Sequence, residues 1–362
     1  MEQEIEYRIY DVSAMINAGT KASHSKTYNI NGIPTGGLYK VLGYIVFDAL
    51  FDKNIKIVAC MDSRTSTLLR REILPAYKSN RGLGGSKQSE ELNELLRRLA
   101  EATNTQDIYN EIVLSEYQKL PPKDQEKIAL ASNVSVQMRI ISDIFDKLGI
   151  TVLRKEGYEA DDFIYSCVFS TLKERPPIVI RADDSDLLDC YKFNHRTKFV
   201  SVAARGDLKG TTTTLLTKMF KGDRSDNIPN LVKKYPTECA YVERLIIDGK
   251  VDPFKVRIKN KFNEDFLKDL DINPIARDEI VKNIYCVSPF KFNVAELMKS
   301  STVDLDVLYD ILCTFRMKTL SKKLGKPLPE RLSEESMDKL YEIKRQIPIY
   351  TEKFFGSKLY NI

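Results

Sequence analysis

Short apolar runs of strand length alternate with longer runs of helical period over the first two hundred residues. That alternation limits the fold more than any other feature of the chain. "YRIYDVSAMI" (7–16) reads as a short strand ending at Asp11, and "IKIVACMDS" (55–63) as a second ending at Asp62. "ITVLRK" (150–155) is a third, "PPIVIRADDSDLLDC" (176–190) holds a fourth that runs into four acids, and "TKFVSVAAR" (197–205) is a fifth. Between them, "GLYKVLGYIVFDALF" (37–51) and "VSVQMRIISDIFDKLG" (134–149) have helical spacing, the second with Gly149 as its stop. A further helix starts within "EGYEADDFIYSCVFSTLKE" (156–174), where Phe163, Ile164, Cys167, Val168 and Leu172 recur at the helical period. Strands alternating with helices predict an α/β domain built on a mostly parallel sheet with flanking helices.

In such sheets, sites form just beyond the carboxyl ends of the strands. Acids stand there: Asp11, Asp62, then Glu159, Asp161 and Asp162 after the third strand, and Asp184 and Asp186 after the fourth. Acids in a first helical turn offset the helix dipole, so three of them opening one helix have an ordinary capping explanation. Capping does not explain acids at the carboxyl ends of four strands. "KGDRSDNIP" (221–229) adds Asp223 and Asp226, for nine in all. If they converge, they cannot all stay ionised without cations. Ligation by carboxylate oxygens alone suits Mg²⁺ or Mn²⁺, and two such ions about 4 Å apart can clamp the attacking and leaving oxygens of a phosphodiester. Asp183 and Asp189 lie beside these acids without joining the pattern, and Asp143 and Asp146 read as surface acids of a helix.

Composition narrows the chemistry. The chain's 362 residues, 43% of them apolar, suffice for one large core or two modest ones. Two histidines, His24 and His195, leave little for zinc hydrolysis or histidine-activated nucleophiles. Six cysteines without a CxxC pair read as reduced core residues. The charged start "MEQEIEYRIYD" is unlike a signal peptide, and no run approaches the roughly 18 apolar residues of a membrane span. The expected location is the cytoplasm, or the host cytoplasm for a phage-encoded protein. With the nine acids set aside, 56 basic residues face 42 acidic ones. Basic clusters at 64–87, 255–261 and 314–326 fit a polyanionic partner, most simply nucleic acid.

"MDSRTSTLLRREILPAYKSNR" (61–81), "EADD" (159–162), "DSD" (184–186) and "GDRSDNIP" (222–229), in this order, resemble the 5′-nuclease superfamily, as does "NGIPTGGLYKVLGYI" (31–45). That family includes the 5′-nuclease domain of bacterial DNA polymerase I, phage flap endonucleases and the ribonuclease H of T-even phages. The resemblance covers roughly residues 7–230. It implies a PIN-like fold and Mg²⁺- or Mn²⁺-dependent hydrolysis with two ions, leaving a 5′-phosphate and a 3′-hydroxyl. It further implies a first ion on Asp11, Asp62, Glu159 and Asp161 with Asp162 close by, and a second on Asp184, Asp186, Asp223 and Asp226. Arg70, Lys78 and Arg81 match basic residues over the scissile phosphate, and Tyr77 matches a ring that stacks on a base. Arg71, Lys233 and Lys234 join Tyr77, Lys78 and Arg81 as expected nucleic-acid contacts, and Pro75 is expected to start the helix that carries Tyr77, Lys78 and Arg81.

The chain departs from the family after "DNIP". Where relatives carry a glycine-rich helix–hairpin–helix, "NLVKKYPTECAYVERL" (230–245) has no glycine, so the duplex grip must be rebuilt. Residues 82–133 exceed the short link of polymerase domains and stand in the place of the family's helical arch, with helices expected at 89–104, 106–119 and 123–132 and a hinge at "GLGGS". The expected organisation is an α/β core over 1–205 and a helical region over 206–362 that supplies Asp223 and Asp226. The expected partners are DNA with a 5′ flap or a single-strand/duplex junction, and RNA–DNA hybrid. A single-strand-binding protein or a sliding clamp is the protein partner to consider, although Phe354–Phe355 stand at the wrong spacing from Gln346 for a clamp peptide. The chain is expected to be a monomer without a membrane partner. Two alternatives stay open: a PIN-like RNA endonuclease, and a catalytically silent nucleic-acid-binding relative.

Overall fold

The computed structural model describes residues 4–23, 29–30, 33–51, 54–63, 65–79, 119, 121–202 and 215–345. Five strands form one sheet: β1 (Glu6–Asp11), β2 (Ile55–Cys60), β3 (Thr151–Leu153), β4 (Ile178–Ala182) and β5 (Thr197–Ser201). Their order is β3-β2-β1-β4-β5 and every pairing is parallel. The expected α/β class with a mostly parallel sheet is what the chain adopts. The order reverses between β1 and β4, and a cleft at the carboxyl edge belongs at such a switch point.

Side chains alternate across the sheet, as the two-residue period of a strand requires. Tyr7, Ile9, Val58, Cys60, Ile178 and Ile180 face one apolar layer, and Tyr10, Ile57 and Ala59 face the other. The first layer packs against α5 (Ala160–Ser170) and the helices Leu215–Lys221 and Pro274–Val287. The second packs against α1 (Val12–Ser23), α2 (Gly36–Phe51) and α4 (Pro122–Leu148), with α3 (Leu68–Ile73) lying between the second and third strands in the chain. All six cysteines are buried and free. No helix among the described residues is long and apolar enough to cross a membrane.

Several expectations are corrected. The first strand ends at Asp11 as expected, but the residues after it turn at once into α1, which sequence reading did not assign. The helices expected at 123–132 and 134–149 are one continuous helix, α4. Its middle carries buried Gln137, whose Oε1 accepts the Gly37 and Leu38 N–H groups at the start of α2 (2.7 and 3.0 Å). Pro75 opens a run of turns instead of a helix, and Lys78 has φ +50°, which no helix accommodates. Among the described residues from 215 on, the regular elements are helices apart from a two-stranded ribbon, Arg257–Ile258 with Lys261–Phe262. The rest of the expected arch, its hinge, the boundary at 205/206 and the C-terminal tail from 346 lie outside the described residues.

Candidate active site

The acids at the strand ends are placed by the first hydrogen bonds of the helices that follow. Asp11 closes β1, and its Oδ1 accepts the Ala14 N–H (2.9 Å), which starts α1. Asp62 stands two residues past β2, accepts the Ala160 N–H on Oδ1 (2.9 Å) and donates its own N–H to Ser13 Oγ (3.3 Å). Asp184 accepts the Asp186 N–H (3.0 Å) at the turn leaving β4. Asp223 accepts the Ser225 N–H (2.7 Å), and Gly222 before it holds φ +72° against Pro229.

These turns converge on a cleft of about 1160 Å³ lined by Asp11, Asp62, Glu159, Asp161, Asp184 and Asp223, with a small cavity of about 40 Å³ bordered by Glu159, Asp161, Asp162, Asp184, Asp186 and Asp226. All nine acids thus border one or the other. Asp183 also lines the cleft, although it was set aside on sequence. The basic side chains of Arg71, Lys78, Lys218 and Arg224 line the cleft as well.

The electrostatics divide the acids into two groups. Burial and the Asp62 charge push Asp11 up to about 7. Burial raises Asp62, and burial with Asp184 and Asp11 raises Asp161 well above the carboxylate range. Burial and Asp184 push Asp186 up to about 7. These four are the signature of a pit that needs positive charge. Glu159 and Asp162 behave in the opposite way. Burial would raise both, but Arg70, joined at Glu159 by Lys78, holds them below their ordinary values. Asp223 is likewise held at about 2 against burial by hydrogen bonds from Lys218 and Ser225.

Three sequence assignments change on this geometry. Asp162 is fully buried and has both oxygens engaged. Arg70 meets it with two hydrogen bonds (3.0 and 2.7 Å), and it accepts the Phe290 N–H (2.9 Å) and the Glu159 N–H (3.0 Å). It braces the site instead of facing an ion. Arg70, 3% exposed, pairs with Asp162 and Glu159 (3.1 Å) and donates to the Cys286 carbonyl, so it does not reach over a phosphate. Tyr77, also 3% exposed, donates its hydroxyl to Glu159 Oε2 (2.9 Å) and offers no ring face to a base. Lys78 reaches Glu159 Oε1, and its backbone N–H donates to the Asp226 carbonyl (2.8 Å), strapping residues 77–79 to the 223–228 turn. Arg71 lies at the rim with its guanidinium on the Tyr77 and Lys78 carbonyls (3.0 and 3.2 Å). Lys233 and Lys234 sit on an exposed turn away from the cleft lining, Lys234 paired with Glu279 (2.5 Å). Arg81 lies outside the described residues.

Among the described residues no three carboxylates stand as a ready-made ligand set. Ammonium groups lie among them instead: Lys78 on Glu159, and Lys218 between Asp186 (2.5 Å) and Asp223 (2.7 Å). Sequence reading missed Lys218. Its signal was a lysine at the buried stripe of its helix, three residues after Leu215 and beside Met219. The donor set still fits a hard divalent cation: all donors are carboxylate oxygens, they repel one another, and Asp186 Oδ1 is buried without a hydrogen-bond partner.

No protein-family model matches the chain. Among curated proteins it is 25% identical over 245 residues to DNA polymerase I of Caldicellulosiruptor bescii, covering 62% of this chain and 27% of that protein. It is 28% identical over 123 residues to DNA polymerase I of Treponema pallidum, covering 31% of this chain and 12% of the relative. The chain therefore spans about a quarter and an eighth of these relatives' lengths. A solved structure of bacteriophage T5 5′-exonuclease with bound zinc aligns over 93% of this chain and 99% of its own, at 14% identity and a TM-score of 0.39. A T5 flap endonuclease in complex with DNA and metal ions aligns as loosely, at 13% identity and a TM-score of 0.38. The sequence relatives are consistent with the 5′-nuclease superfamily.

Proposed function

We propose, from its likeness to the 5′-nuclease superfamily, that this chain is a divalent-metal-dependent, structure-selective 5′ nuclease. It cuts 5′ flaps and removes RNA or DNA from 5′ ends annealed to DNA, leaving 5′-phosphate and 3′-hydroxyl ends in replication or repair. One observation carries the reading: acids from the carboxyl ends of four strands and from the 223–226 turn border a single cleft whose lining also holds basic side chains.

Asp11, Asp62, Glu159 and Asp161 would hold a first Mg²⁺ or Mn²⁺, and Asp184, Asp186, Asp223 and Asp226 would hold a second. When bound, such ions neutralise the phosphate and lower the pKa of water. The chain's own residues do the rest. Asp162 and Arg70 clamp the start of α5, which sets where Asp161 points. The Tyr77 hydroxyl fixes one oxygen of Glu159 and Lys78 the other. Lys78 and Arg71 at the mouth supply positive charge to a phosphate drawn against the acids, and charge aimed at a developing phosphorane is worth most where water is excluded.

In this reading the α/β part up to 205 supplies most of the site and the helical remainder supplies Asp223 and Asp226. Residues 82–133 form the passage for the free strand, and Lys233 and Lys234 meet the duplex backbone. A catalytically silent relative would have no use for the eight carboxylates assigned to the ions. The test compares initial rates in Mg²⁺ on a labelled 5′ flap, a blunt duplex, a single strand and an RNA–DNA hybrid. Preference for the flap or the hybrid, with a 5′-phosphate on the product, supports the proposal. Equal cutting of all four, or cutting of single-stranded RNA alone, defeats it.

A further inference from the structure

Lys218 is built into the cleft. It belongs to the helix Leu215–Lys221, whose first N–H, from Leu215, is held by Asp189 (2.9 Å). At the other end the Phe220 carbonyl accepts the Leu231 and Val232 N–H groups (2.9 and 3.2 Å). Met219 and Phe220 beside it are in the core, and Lys218 itself is only 9% exposed. The helix is anchored at both ends, so the ammonium is delivered to one place. There it lies 2.5 Å from Asp186 Oδ2 and 2.7 Å from Asp223 Oδ2. Asp223 Oδ1 already accepts the Ser225 N–H and hydroxyl, so an ion shared by Asp186 and Asp223 would have to take Asp223 Oδ2 from the ammonium, and would face its charge even if it used the unpartnered Asp186 Oδ1. The other half of the cleft differs: Asp11 and Asp62 accept backbone N–H groups from Ala14 and Ala160 and line the open cleft.

The geometry points to Lys218 as the resident cation of the inner half of the site, so that the free protein takes one divalent ion on the outer carboxylates and a second must displace the lysine. This rests on reading the cleft as a divalent-ion site. A unit charge about 4 Å away, at the effective dielectric near a protein surface, shifts an ion's affinity by well over tenfold. Lys218 is thus a positioning residue: it sets how many ions are held before nucleic acid arrives.

The experiment counts Mn²⁺ on the full chain without nucleic acid, by the loss of the free-ion EPR signal, for wild type, Lys218→Met and Lys218→Gln. Wild type should take one ion per chain in the submillimolar range, and either variant should take two, the second at least about tenfold tighter than in wild type. A parallel thermal melt guards against misfolding: Mn²⁺ should raise the melting temperature of the variants by more than that of wild type, because it replaces the missing ammonium. Two equivalent ions on wild type, or one ion on every protein, overturns the role of Lys218 while leaving the ion site intact. No ion on any of them overturns both.

Discussion

Adjacent acids of α5 should respond to substitution with opposite signs. Asp162→Ala removes a fully buried carboxylate whose partners stay behind. Arg70 would keep its charge, 3% exposed, with Glu159 as its remaining carboxylate, and the Glu159 and Phe290 N–H groups would lose their acceptor. Breaking a buried ion pair from one side costs about 3–5 kcal/mol, because the orphaned charge cannot return to water. Removing both partners as Asp162→Ala with Arg70→Met should recover about 2 kcal/mol of that cost, a coupling within the range of contacting residues. Asp161→Asn acts the other way: burial, Asp184 and Asp11 all disfavour its charge, so neutralising it should raise stability without metal. The assay is urea unfolding followed by circular dichroism, in EDTA near pH 7.5. A cost below about 1 kcal/mol for Asp162→Ala, or destabilisation by Asp161→Asn, would refute the division of the two acids into brace and ion-facing group.

Three further outcomes follow from the same geometry. Asp11 and Asp186 bind protons more tightly folded, at about 7, than unfolded near the ordinary 3.8, so stability in EDTA should fall as pH rises from about 4 to about 7 and level off above. Each pH unit across that window costs up to about 1.4 kcal/mol per group, and urea unfolding at pH 5 and 8 should show Asp11→Asn flattening the slope. Asp223, Glu159 and Asp162 are depressed and act in the opposite sense only below about pH 4, outside that comparison. Tyr77→Phe should lower kcat about tenfold with KM unchanged, because the buried hydroxyl on Glu159 is worth about 1–1.5 kcal/mol; an unaltered kcat would restore the base-stacking role. Gly222→Ala should cost at least about 2 kcal/mol in thermal unfolding, since φ is +72° and a Cβ would lie 2.6 Å from the Pro229 carbonyl oxygen.

Much of this was legible in the residues because strand ends and acids coincide. The five strands follow apolar runs, and seven of the nine motif acids stand at or after a strand's carboxyl end, while Asp223 and Asp226 stand in the turn after the helix Leu215–Lys221. The strand's end at Asp11 was legible but the helix after it was hidden: "VSAMINAGTKAS" continues the apolar run, and the cap that starts α1 is the strand's own last residue. The expected break at Asn133, between helices at 123–132 and 134–149, is absent because Asn133 is buried and meets buried Gln137, which also bonds to Thr20 Oγ1 (3.0 Å). Three acids in four positions could not reveal which faced the cleft. Asp161 and Asp162 differ by one step around the helix, and the partner that decides between them, Arg70, lies 92 residues away in sequence. Lys218 escaped for a related reason: its two carboxylates come from different turns, and only the tertiary fold brings them to one ammonium.

The most direct test of the central claim is cleavage of a 5′-labelled flap duplex by wild type and Asp161→Asn, each with Mg²⁺ and with EDTA. The account predicts cutting near the junction by wild type in Mg²⁺ alone, and a loss of at least about a thousandfold in a variant that stays folded and still binds the duplex. Cutting that persists in EDTA, or an Asp161→Asn protein as active as wild type, would contradict it.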